Sequence, residues 1–171
     1  DLQLTKAAAS PTSCNPSTTT VSGCESNNTS SYTLTVTNAT SPVGNPTGGS
    51  GCSQFGVACQ IVVVDGYPNG FSVSPVPPGC VDDTLNNRLT CTIAGPLVPG
   101  TSLQFVVTGT WADDDSVNPG GSTKLNLAVV DSDRHDPNLA SNVATASVLL
   151  PLATVTGPSG PSGASGPSGA S

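Results

Sequence analysis

Ser31-Tyr32-Thr33-Leu34-Thr35-Val36-Thr37-Asn38 alternates apolar and hydroxyl side chains with a period of two. Successive strand residues point to opposite faces, so this stretch buries Tyr32, Leu34 and Val36 and shows threonines to solvent. The same alternation recurs outward from it, between turns rich in Gly, Pro, Asn and Ser. Leu2 and Leu4 carry it before, and Phe71, Val73 and Val76 after, followed by Leu89, Cys91 and Ile93. Leu103, Phe105 and Val107 come next, then Leu125, Leu127 and Val129, and finally Ala144, Ala146, Val148 and Leu150. Ala58 to Asp65 is nearly continuously apolar, as a central strand covered on both faces should be. About eight strands without a helical stripe define an all-β antiparallel sandwich.

Composition narrows the function. The chain has 171 residues, 9% charged and 4% aromatic, and a formal net charge of −7. Lys6, Arg88, Lys124 and Arg134 are its whole basic complement, too few to displace counterions from a nucleic acid. No apolar run approaches the ~20 residues that a membrane-spanning helix needs. Thr, Ser, Val, Gly and Pro dominate, whereas helical bundles want Ala, Glu, Lys, Leu and Arg.

The six cysteines, Cys14, Cys24, Cys52, Cys59, Cys80 and Cys91, include no CxxC pair, and the single His135 is remote from them. That argues against structural zinc and for disulfides in an oxidising compartment. The spacing favours neighbour pairs, Cys14–Cys24, Cys52–Cys59 and Cys80–Cys91, among the 15 connectivities that six cysteines allow. Such pairs would pin two long, weakly hydrophobic insertions near residues 9–30 and 40–56. Asp1 leads into a strand-like run rather than a basic segment and apolar core, so the sequence reads as a mature chain with its signal removed. Asn27, Asn28 and Asn38 head Asn-x-Ser/Thr sequons and are the glycosylation candidates.

Composition changes near residue 156. Gly157, Gly160, Gly163, Gly166 and Gly169 then hold a strict three-residue period, with Pro or Ala second and Ser third. Only glycine fits where three polyproline-II strands meet, so the expectation is a collagen-like triple helix of ~45 Å that makes the chain a homotrimer. A flexible Gly/Ser tether has no need for that register. The reading divides the chain into a head at 1–150, a linker at 151–156 and a stalk at 157–171.

Four pieces of the head, in order, resemble the conserved-repeat domain of bacterial cell-surface and secreted proteins. They are Asp1-Leu2-Gln3-Leu4-Thr5-Lys6, and Tyr32 to Asn38; then Cys91-Thr92-Ile93 with Leu97-Val98-Pro99-Gly100-Thr101-Ser102; and Asp136-Pro137-Asn138-Leu139-Ala140-Ser141-Asn142-Val143-Ala144. Val63-Val64-Asp65-Gly66-Tyr67-Pro68-Asn69-Gly70-Phe71 also has the family's strand, Asp, Pro-x-Gly-Phe form. The resemblance implies an Ig-like sandwich doing extracellular structural or adhesive work, with no enzymatic activity. The collagen-like tail is similar to those of bacterial and viral surface proteins.

Few residues offer chemistry. Asp113-Asp114-Asp115 and Asp131-Ser132-Asp133-Arg134-His135-Asp136 follow strands. Clustered carboxylates suit calcium, with Asp131, Asp133 and Asp136 as candidate ligands, but the EF-hand spacing is absent and turn capping is the simpler role. No cofactor is expected otherwise. His135 has no nucleophile motif beside it. Trp111 is the one aromatic placed to be a sugar platform, although such a residue usually packs over the end of a sandwich. The function expected is a structural subunit of an extracellular bacterial surface appendage, partnered by its own copies and by filament or other surface subunits. The alternative is a stalked adhesin whose head loops bind a glycan or cell-surface partner. Leu2–Lys6 is either an ordinary edge strand or one donated to a neighbour.

Overall fold

The computed structural model describes residues 1–10, 29–39, 57–112, 121–133, 136 and 138–150. Among them the alternating segments form nine strands: β1 (Leu2–Ala9), β2 (Thr29–Asn38), β3 (Ile61–Gly66), β4 (Phe71–Val73), β5 (Cys80–Asp83), β6 (Arg88–Ile93), β7 (Thr101–Trp111), β8 (Thr123–Asp131) and β9 (Val143–Leu149). They make two antiparallel sheets, ordered β1-β2-β7-β4 and β5-β6-β3-β8-β9. The chain changes sheet after β2, β3, β4, β6 and β7, the crossing pattern of an Ig-like sandwich. β1 pairs with β2 of its own domain, Leu2 opposite Asn38 through Ala9 opposite Ser31.

Between the sheets lie Tyr32, Leu34 and Val36 of β2, Ile61 and Val63 of β3, Leu89 of β6, Val107 of β7, Val130 of β8 and Val148 of β9, all buried. Each such side chain withdrawn from water contributes roughly 1.5–3 kcal/mol. The aromatic end of this core is Phe71, with the rings of Tyr32 and Trp111 at 5.5 and 4.9 Å between centroids. Gly109 on β7 lets Phe71 and the β4 backbone close in.

β8 corrects the sequence reading. Leu125, Leu127 and Val129 face outward, while Asn126, Ala128 and Val130 are buried. Both phases of this strand are rich in apolar residues, so alternation alone does not choose between them. Register does: inward Val63 and Asp65 of β3 stand opposite Val130 and Ala128. The run beginning at Ala58 is also interrupted. Ala58 bridges Leu97, and Gln60, at φ 48°, turns the chain before β3 begins.

Cys80 and Cys91 face each other across β5 and β6 and form a disulfide, one of the three neighbour pairs expected. It holds β5, whose Cys-Val-Asp-Asp sequence has little alternation to recruit it. Cys59 is disulfide-bonded as well. Cys14, Cys24 and Cys52 lie outside the described residues, as do the linker at 151–156 and the Gly-X-Y stretch at 157–171.

The start of β1 is clamped by the segment before β9. Asp136 Oδ2 accepts from the Leu2 amide at 2.8 Å and its Oδ1 from the Asn138 amide at 3.0 Å. Ser141, in the 3-10 turn Leu139–Asn142, places its hydroxyl within donating distance of the Asn138 carbonyl at 2.7 Å, the Leu2 carbonyl at 2.9 Å and the Asp1 carboxylate at 3.0 Å, its single proton going to one of them at a time. Burial raises the Asp136 carboxyl, but the Asn138 and Leu2 amides, the Asn142 side chain and the terminal amine together outweigh it and hold it below the ordinary 3.8. A depressed carboxyl stabilises the fold above its unfolded value and loses that contribution as pH falls through the folded one. Asp136→Asn is therefore expected to cost about 1 kcal/mol at neutral pH and to flatten the decline of melting temperature below pH ~4. Melting curves of both proteins across acid pH check this.

Candidate functional site

Each strand that faces the core carries its inward residues at every second position. On β1 these are Leu2, Leu4 and then Lys6; on β3, Ile61, Val63 and then Asp65; on β8, Val130, Ala128 and then Asn126. A polar side chain thus occupies an inward position on each of three strands, and the fold brings all three together. Lys6 comes from one sheet, Asp65 and Asn126 from the other.

Lys6 Nζ donates to Asp65 Oδ1 and, at 2.6 Å, to Asn126 Oδ1. The side chains of Lys6 and Asp65 are 0% and 1% exposed, and Asn126 is fully buried. Tyr32 forms one wall, its ring centroid 5.0 Å from Lys6 Nζ. Asp65 Oδ2, Asn126 Nδ2 and the Tyr32 hydroxyl have no hydrogen-bond partner. The Asn126 amide stands close enough to Asp65 and Tyr32 to lower both groups' affinity for protons, without completing a well-formed bond to either.

Burying a charge is expensive, and the ionisation of the group follows that cost. Burial lowers the Lys6 amine, and the Asp65 charge and hydrogen bond only partly restore it. Burial raises the Asp65 carboxyl, with Lys6 and Asn126 opposing. Burial, then the Asp65 charge, raises the Tyr32 phenol. Each shift favours the uncharged form. The cluster is an amine, a carboxyl group and a carboxamide held in contact away from water. That combination suits proton exchange and acyl chemistry better than display to a soluble ligand.

The sequence-derived candidates fall elsewhere. Asp131 Oδ1 accepts from the Ser132 amide at 2.8 Å, and Asp133 Oδ1 from the Cys59 amide at 3.2 Å, so these carboxylates brace main chain, as Asp136 does. Among the described residues no three His, Cys, Asp or Glu side chains gather as a metal site. Asp113, Asp114, Asp115, Arg134 and His135 lie outside the described residues, with Asn27 and Asn28. Asn38 is buried, and the Nδ2 to which a glycan would attach donates to the Leu97 carbonyl at 2.8 Å. Trp111 is buried too, its Nε1 donating to Ser30 Oγ at 2.8 Å, so it offers no sugar platform. No helix among the described residues is long and apolar enough to cross a membrane.

The sequence reading missed the Lys6–Asp65–Asn126 cluster, although its signal is present: all three interrupt an apolar phase from within. No protein-family model matches the chain, and no curated protein does. Among solved structures, the collagen-binding domain from a Staphylococcus aureus adhesin superposes with a TM-score of 0.42 at 13% identity, covering 71% of this chain and 87% of that one. The resemblance to the conserved-repeat domain therefore rests on the motifs quoted above.

Proposed function

We propose that this chain is a non-enzymatic structural subunit of an extracellular bacterial surface appendage, in which heads pack side by side and the Gly-X-Y stretch associates three chains. One observation carries the packing of heads. Leu125, Leu127 and Val129 of β8 stand exposed beside Val143 and Leu149 of β9, with half-buried Val62 and Val64 of β3 on their other flank. Scattered apolar side chains are ordinary, but here Val129 stands between Val64 and Val143 and continues along β8 into Leu127 and Leu125, with only the hydroxyl side chains of Thr145 and Ser147 opposite them on β9. An apolar patch of this kind marks a surface that meets another protein. A second copy of the chain suits it, because the face carries no charged row to select an oppositely charged partner. The Cys80–Cys91 disulfide fits an oxidising, extracellular setting.

Sedimentation tests both parts. Leu125→Asp, at a position 59% exposed, is expected to abolish lateral association and keep the three-chain unit. A chain ending at Thr156 is expected to lose the three-chain unit and keep lateral association. A full-length chain that stays monomeric at every concentration overturns the reading. If that monomer binds a glycan array, the adhesin reading replaces it.

A further inference from the structure

We propose that Lys6 and Asn126 react to form an intramolecular amide, joining β1 of one sheet to β8 of the other, with Asp65 as the acid–base group. The cluster is oddly composed for a structural device. Lysine and asparagine are seldom placed in a core without full satisfaction of their polar atoms. Here Lys6 Nζ rests 2.6 Å from the Asn126 amide oxygen, while the Asn126 amide nitrogen has no partner. In a purely structural ion pair the Asn126 oxygen would serve as a second acceptor for Lys6, but burying its NH2 without a partner would bring a cost and no return.

Acyl transfer needs what is present. The nucleophile must be an unprotonated amine, and burial moves Lys6 in that direction. The amide must be polarised and its nitrogen protonated before it leaves, which calls for an acid in contact with both groups. Asp65 touches the amine through Oδ1, burial biases its carboxyl toward the protonated form, and its Oδ2 has no other partner. Two groups 120 residues apart in sequence are held against each other by strand register, which removes the entropic cost of encounter. Tyr32 and the surrounding core exclude water, so hydrolysis of the amide does not compete.

The step balances without any co-reactant. The Nζ lone pair attacks Asn126 Cγ while the Asp65 proton is shared with the developing oxyanion. Asp65 then takes a proton from Nζ and passes one to Nδ2. The Cγ–Nδ2 bond breaks, ammonia departs, and an Nζ–Cγ amide remains. One amine and one primary amide become one secondary amide and one ammonia, and Asp65 ends in its starting state. The reaction turns over once per chain and needs the folded head.

Mass spectrometry of the folded full-length chain decides it. The intact mass, after allowance for disulfides, is expected to be short by one ammonia. Trypsin is expected to leave the bond after Lys6 uncut and to release residues 125–134 joined to a peptide that contains Lys6. Asp65→Asn, of nearly the same shape, is expected to fold yet retain its ammonia and a cleavable Lys6. Lys6→Arg should likewise show the full mass. A folded wild-type chain of full mass with Lys6 open to trypsin overturns the proposal. So does an ammonia loss that fragmentation places in a succinimide at Asn126 rather than in a joined peptide. Joining that proceeds equally well in Asp65→Asn overturns the part given to Asp65.

Discussion

Lys6→Met is expected to destabilise the head by about 3–5 kcal/mol, the scale both of stranding a buried polar partner and of removing a cross-link that closes a long loop. Methionine nearly fills the aliphatic volume of lysine, so little of this loss comes from packing. It comes from the lost link between β1 and β8 and from what is left behind, an Asp65 carboxyl that is 1% exposed and an Asn126 carboxamide that has lost its contact with Lys6. The companion experiment replaces the whole polar set. Lys6→Met, Asp65→Leu and Asn126→Leu together are expected to recover the part of the loss that comes from stranded polar groups, because well-packed apolar residues replace a buried polar set at little cost. They are expected to leave unrecovered the part that comes from the missing amide link, whose constraint on the unfolded chain packing does not replace. Urea denaturation of the single and triple variants gives both numbers. A single variant within about 0.5 kcal/mol of wild type would mean that water reaches the cluster.

Gly109→Ala is expected to be nearly as damaging for the opposite reason, excess of matter. A Cβ at this position would lie 2.3 Å from the Ser72 carbonyl oxygen and 2.5 Å from the Phe71 ring. The carbonyl belongs to β4, which pairs with β7 at this point, so no rotamer change relieves the clash. Overpacking of a core costs about 1–3 kcal/mol, and backbone displacement puts this site at or above the upper end. The loss should localise: amide exchange is expected to accelerate in β4 and at Trp111, and to change little at the β1–β2 pairing. Uniform acceleration across both sheets would mean that β4 is not a separate weak point.

Much of this architecture is legible in the sequence, because most strands declare one apolar phase. Leu2 and Leu4, Tyr32 to Val36, Leu89 to Ile93, and Ala144 to Leu150 all turn the expected side inward. β8 does not declare itself, since Leu125-Asn126-Leu127-Ala128-Val129-Val130 satisfies both faces, and the larger leucines point to the wrong one. Only pairing with β3 and β9 resolves it, and pairing is a property of the whole sheet. The polar cluster was hidden for the same reason. Lys6 beyond Leu2 and Leu4, and Asp65 beyond Ile61 and Val63, are visible as inward polar positions. Their meeting with Asn126 depends on which way β8 faces and on how the two sheets superimpose. Asn38 and Trp111 show the converse limit, where residue types associated with modification or binding are consumed by the fold's own hydrogen bonds.

The clamp on β1 has a mechanical meaning. Leu2 is fastened beside the turn that opens β9, whereas Ser10, just past the other end of β1, accepts a hydrogen bond from Leu149 at the close of β9. Residues 1 and 150 therefore emerge at opposite poles of the head. A pull between those poles runs along the strands and loads their hydrogen bonds in shear, all at once, instead of unzipping them one after another.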